Sequence, residues 1–203
     1  MKPLFTVHAG EFLVGCEIEK RFPNVNLWLP AKDTGIDLLV SNKDNKKTIS
    51  LQVKFSRDYL VTHLQDFRNS LRACGWWKAT RQQLKTSRAQ YWVFVLLGLA
   101  RNIEFIIIKP DVLLNRLESI HGKTVDTFQS YLWVTQEGKC FETRGLNRSN
   151  QQLIADGAFK DDSRDFTAYL NNNWTPIKAV CTENWIRLDA RQRLGNLACT
   201  RFG

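Results

Sequence analysis

Several absences narrow the reading of this chain before any motif is considered. Its five cysteines (Cys16, Cys74, Cys140, Cys181, Cys199) are odd in number, widely spaced and form no C-x-x-C pair. That speaks against a disulfide framework or a zinc site and fits a reducing, cytoplasmic setting. The three histidines (His8, His63, His121) lie far apart without ligand spacing, so neither a His-built metal site nor a His-based nuclease is expected. The longest apolar run, Tyr91 to Ala100, is shorter than the roughly 18 residues a bilayer span requires, and no membrane attachment is expected. Leu13-Val14-Gly15-Cys16 has the outline of a lipoprotein cleavage site, but His8 and Glu11 interrupt the apolar run such a signal needs. No internal repeat or low-complexity tract is visible, which removes solenoid architectures. The dinucleotide G-x-G-x-x-G and the G-x-S-x-G elbow are both missing, and Gly122-Lys123-Thr124 lacks the upstream glycine of a P-loop, because Leu117 stands there.

Acidic side chains are also in deficit, with 20 Asp and Glu against 29 Lys and Arg, a formal charge of +9. Such an excess favours a polyanionic partner, most simply nucleic acid, or an anionic membrane surface. The imbalance peaks between Arg68 and Arg88, where six basic residues (Arg68, Arg72, Lys78, Arg81, Lys85, Arg88) occur with no acid and are interleaved with Trp76 and Trp77. Exposed helices ordinarily mix both signs, so a phosphate-contacting surface is the stronger reading of the charges, whereas tryptophans are more often core. At 203 residues, with 43% hydrophobic and 11% aromatic content, the chain suits one sizeable core with an appendage.

Helical spacing runs from His8 to Phe22 and ends at Pro23. Val25 to Leu29 reads as a strand, Pro30 to Gly35 as a loop, and Gly35 to Val40 and Ser50 to Lys54 as two strands joined by the polar turn Asn42 to Lys47, which carries Lys43, Lys46 and Lys47. Leu60, Leu64, Phe67 and Leu71 predict a helix to about Ala73, broken by Gly75-Trp76-Trp77. Tyr91 to Leu97 and Ile103 to Ile108 predict two core strands. Pro110 opens a short helix with Val112, Leu113 and Leu117. A small hairpin is expected at Tyr131 to Thr135 and Cys140 to Thr143, and short helices at Ser149 to Ala155 and Asp165 to Leu170. The last thirty residues, from Trp174, carry five basic and two acidic side chains with weak periodicity.

The two strands around Gly35-Ile36-Asp37 and Ser50-Leu51-Gln52-Val53-Lys54 carry polar groups where core strands are apolar. Gln52 and Lys54 are two residues apart on a strand, so they share a face at roughly 7 Å while Leu51 and Val53 take the other. Pairing of the strands brings the Asp37 carboxylate beside them. One outcome is a structural ion pair of Asp37 with Lys54, which stabilises little when buried. The other is a metal site, since a hard divalent cation takes carboxylate, amide and main-chain oxygens and a nearby ammonium can hold an attacking water.

Gly10-Glu11 on an opening helix, Gly35-Ile36-Asp37 on a strand and Gln52-Val53-Lys54 on the next resemble the PD-(D/E)XK nuclease superfamily of restriction endonucleases and Holliday-junction resolvases. The resemblance covers roughly residues 8 to 108. It implies an α/β fold with a restriction-endonuclease-like central mixed sheet flanked by helices and a nuclease-like core over 1–109, while residues 110–203, which it does not explain, are expected to form a C-terminal α+β extension packed on that core. It also implies a Mg²⁺- or Mn²⁺-dependent DNA endonuclease. In that family pattern Asp37, Gln52, the Val53 carbonyl and Glu11 would serve as metal ligands, Lys54 would assist the water, and a homodimer would serve double-strand cleavage. Gln52 stands where the pattern has an acid, which removes a negative charge from the site. Alternative readings are a non-cutting DNA-binding protein of the same fold and a regulatory subunit of a defence or mobile-element system.

Overall fold

The computed structural model describes residues 9–32, 34–56, 67, 69–98, 103–171 and 174–181. Eight strands are arranged as β1 (Val25–Trp28), β2 (Leu38–Asn42), β3 (Thr48–Phe55), β4 (Leu71–Thr80), β5 (Tyr91–Leu97), β6 (Ile103–Ile108), β7 (Thr127–Thr135) and β8 (Cys140–Glu142). They interleave with helices α1 (Ala9–Arg21), α2 (Arg81–Lys85), α3 (Pro110–His121) and α4 (Arg148–Ala155). The sheet runs β1-β2-β3-β5-β4-β7-β8, with β6 also paired to β5. Only β3 and β5 run parallel among the named strands. This is an α/β architecture built on a mixed eight-stranded sheet with helices against it.

Turn chemistry sets the β2–β3 hairpin. Asn45 adopts a positive φ of 57°, which Asn tolerates better than most residues, and Asn42 Oδ1 accepts from the Lys47 amide at 3.0 Å. The resulting register places Leu38 opposite Leu51 and Val40 opposite Ile49. Those four side chains, with Leu27, Val53, Val93, Val95, Phe105 and Ile107, form the face covered by Val14 and Ile18 of α1. Gly10 is what lets the first turn of α1 approach: a Cβ there would lie 2.7 Å from Phe55 Cβ. Trp174 and Ile177 bury on this same face, so the start of the C-terminal segment, helical over 175–181, belongs to the core.

Across the sheet, Trp92, Phe94, Leu96, Ile106 and Ile108 pack against Ala73, Trp77, Leu132 and Val134 from β4 and β7 and against Leu84, Leu113 and Leu117 from α2 and α3. Strand β4 meets β5 at one register position, Cys74 opposite Leu97, so the sheet folds there into two leaves. Described residues after Pro110 are thus built into the same sheet and core as those before it, β7 lying along the length of β4.

Two predicted elements are corrected. Residues 71–73 open a ten-residue strand rather than close a helix, while 60–66 lie outside the described residues. A bulge between Leu71 and Ala73 sends Leu71 and Cys74 into one cluster and Ala73 and Trp77 into the other, which breaks the period-2 signal. Gly75-Trp76-Trp77 continues the strand, with the Trp77 ring folded over Gly75, where any Cβ would meet it at 2.2 Å. The segment expected as a helix over Asp165 to Leu170 is a single 3₁₀ turn at Thr167–Tyr169.

Candidate functional site

Asp37 sits one residue before β2, beside the position where Leu38 pairs with Leu51. Its amide donates to the Leu51 carbonyl at 2.8 Å, and its Oδ2 accepts from the Val53 amide at 2.7 Å. The half-buried carboxylate is therefore held against the middle residue of the Gln52-Val53-Lys54 triplet by one of its own oxygens.

Alternation along β3 turns Val53 into the α1-side core and Gln52 and Lys54 to the other face. Gln52 lies in register with Trp92, and Lys54 with Phe94. The two polar side chains line a cleft of about 240 Å³ with Thr34, Gly35, Gln83, Thr86, Ser87, Arg88 and Trp92. Trp92 is its aromatic floor: Nζ of Lys54 lies 5.0 Å from the ring centroid, and the indole N–H donates to Ser87 Oγ at 2.9 Å. The wall is the stretch after α2, whose start is fixed by a reciprocal Thr80–Gln83 capping box. Main-chain and side-chain bonds of Ser50 to Gln90, at 3.0 Å, tie the end of that stretch to β3. Arg88 is exposed at the rim.

Glu11 is placed differently. It is half-buried in the first turn of α1, next to the Gly10 contact with Val53 and Phe55. It thus stands level with the triplet, on the helix that covers the opposite face of β3.

The basic residues divide into two groups. Arg72 is ion-paired with the buried Glu104 at 2.5 Å, and Arg81 is engaged with Glu118, the Val125 carbonyl and the Phe128 ring. These two guanidinium groups bind parts of the fold to one another. Lys78, Lys85 and Arg88 are exposed, as are Lys43, Lys46 and Lys47 on the hairpin turn, with Lys46 3.2 Å from Asp44. Arg68 lies outside the described residues. Of the two tryptophans in the block, Trp77 is 8% exposed and edge-on to Phe94 at 4.9 Å, while Trp76 is 40% exposed.

Sequence reasoning did not find Trp92, Ser87 or the Thr34-Gly35 turn as parts of the site. Trp92 is one of seven consecutive apolar residues in β5, and no pattern within that run tells which face each takes. Among the described residues no group of three or more His, Cys, Asp and Glu side chains is gathered as a metal cluster. No helix among them is long and apolar enough to cross a membrane. No protein-family model, curated protein or solved structure matches the chain.

Proposed function

We propose that this chain is a metal-dependent nuclease of restriction-endonuclease-like fold that hydrolyses DNA phosphodiesters in the Gln52–Lys54 cleft. The observation that carries this reading is the juxtaposition made by the β2–β3 pairing: the Asp37 carboxylate bonded to Val53, with Gln52 and Lys54 side by side in one basic-rimmed cleft. The donor set fits a lightly held Mg²⁺ or Mn²⁺, because Mg²⁺ binds through one or two carboxylates and keeps several waters. Asp37 and the Gln52 amide would hold the ion, with the Val53 carbonyl as a further oxygen donor, and Glu11, on the helix that covers the opposite face of β3, would stand outside this set. When bound, it would polarise the phosphoryl group and acidify a water. The chain's own groups supply the remainder. Lys54, held over Trp92, would orient the water and offset charge on the phosphorane as the P–O bond to the leaving sugar oxygen breaks. Arg88 at the rim would hold a non-bridging phosphate oxygen.

The second reading, a DNA-binding protein that does not cut, is favoured by Gln52 and by the sparse carboxylate set. Calorimetric titration with Mn²⁺ separates the two. A nuclease takes up the ion, and Asp37→Asn abolishes the uptake. A wild-type protein without Mn²⁺ affinity leaves the non-cutting reading.

A further inference from the structure

The face of the sheet that carries Gln52 and Lys54 continues past the cleft toward β1, the edge strand among the described residues. Register places Trp28 opposite Leu39, Leu39 opposite Ser50, Asn26 opposite Ser41, and Ser41 opposite Thr48. Trp28, Leu39, Ser50 and Gln52 therefore share one face of the sheet. Trp28 is 49% exposed there, yet its ring is not loose. Its indole N–H donates to Ser41 Oγ at 2.9 Å, Ser41 Oγ donates to Asn45 Oδ1 at 2.6 Å, and Asn26 Nδ2 donates to the same oxygen at 2.9 Å. A large aromatic face is thus fixed in orientation and presented to solvent.

The ring's neighbour in register is the half-buried Leu39, and toward either end the face is polar and basic. At one end lie Lys54 and Arg88 of the cleft, and at the other the hairpin turn with Lys43, Lys46 and Lys47, where Asn26 Nδ2 also reaches the Lys43 carbonyl at 3.4 Å. Leu29, the residue after Trp28, is also exposed, whereas Phe12 sits on α1, the helix against the opposite face of the sheet. Two strand spacings and one residue pair separate Trp28 from Gln52, roughly 12 Å between Cα atoms. That is within reach of a nucleic acid whose phosphate occupies the cleft.

We propose that Trp28 is a base-stacking platform and that the substrate class is DNA with an unpaired base next to the phosphate in the cleft, its backbone running along β3 between the two basic ends. This rests on the nucleic-acid reading above. A base inside an intact duplex offers no face to a fixed ring, whereas base–aromatic stacking is open to any unpaired base.

The test is fluorescence anisotropy of labelled single-stranded and blunt duplex oligonucleotides, without divalent cations, against wild type, Trp28→Ala, Trp28→Phe and Arg88→Ala. Expected is tighter binding of the single strand by wild type, a loss of about tenfold on that strand alone in Trp28→Ala, and recovery of most of it in Trp28→Phe. Unchanged single-strand affinity in Trp28→Ala, with Arg88→Ala weakening both substrates, overturns the platform and leaves the nucleic-acid reading standing. Absence of any DNA binding by wild type at low salt overturns both. In that case a dimer seen by sedimentation velocity and lost in Trp28→Ala would assign Trp28 to a contact between copies of this chain.

Discussion

Asp37 is where stability and proposed chemistry meet in a single side chain. One carboxylate oxygen accepts the Val53 amide proton, so Asp37→Ala removes that acceptor along with the charge, whereas Asp37→Asn keeps an oxygen for it. Urea denaturation should show a loss of about 1–2 kcal/mol for the alanine variant and less than about half that for asparagine, because an unmet main-chain donor costs more than the bond itself contributes. Gln52→Glu adds the missing negative charge beside Asp37 and should raise Mn²⁺ affinity by about an order of magnitude in calorimetry, since ligand charge count sets affinity at oxygen sites. The thiols make a second contrast. Burial, reinforced by the Asp165 and Glu104 carboxylates, pushes the Cys140 thiol well above its ordinary value of 9.0. With the folded value above the unfolded one, its contribution is intact below pH 9 and is lost as pH rises beyond it. The urea midpoint should therefore fall between pH 8 and pH 10, and less so in Cys140→Ala. Exposed Cys16 should alkylate in the native protein, and Cys140 should not.

Two glycines govern how whole elements sit. Gly75→Ala places a methyl inside the Trp77 ring, which is itself packed on Phe94, so the ring must leave its pocket. Overpacking of this kind costs about 1–3 kcal/mol and should lower the thermal midpoint by several degrees. Gly10→Ala pushes the first turn of α1 off Phe55, and with it Glu11. Strands β1, β2, β3, β5 and β6 were legible in the sequence because short apolar runs are bounded there by Pro, Gly and Asn turns. Asp37, Gln52 and Lys54 were legible because polar groups interrupted those runs. Strand β4 was not. It is buried on both faces over much of its length, and its bulge cancels the alternation, which left the 4-3-4 spacing of Leu60, Leu64, Phe67 and Leu71 as the only visible period. The cleft wall was hidden for another reason: Ser87, Thr86 and Gln83 reach β3 through the return of the chain into β5, a tertiary fact without local signature.

On the scale of the whole molecule, the excess of nine positive charges is distributed unevenly in its consequences. Arg72 and Arg81 hold β4 to Glu104 and α2 to α3, while Lys85 and Arg88 are exposed beside the cleft. If DNA occupies that side, Lys85→Ala and Arg88→Ala should each lower the slope of log affinity against log salt by about 1. Arg72→Ala should instead lower the thermal midpoint, because it leaves Glu104 buried without its cation. Plasmid nicking bears most directly on the proposed activity. Supercoiled DNA is incubated with wild type, Asp37→Asn and Lys54→Ala in Mg²⁺ and in Mn²⁺. Relaxation by wild type alone, with both variants down by about 100-fold or more, is the predicted result. Equal nicking by all three proteins would contradict it.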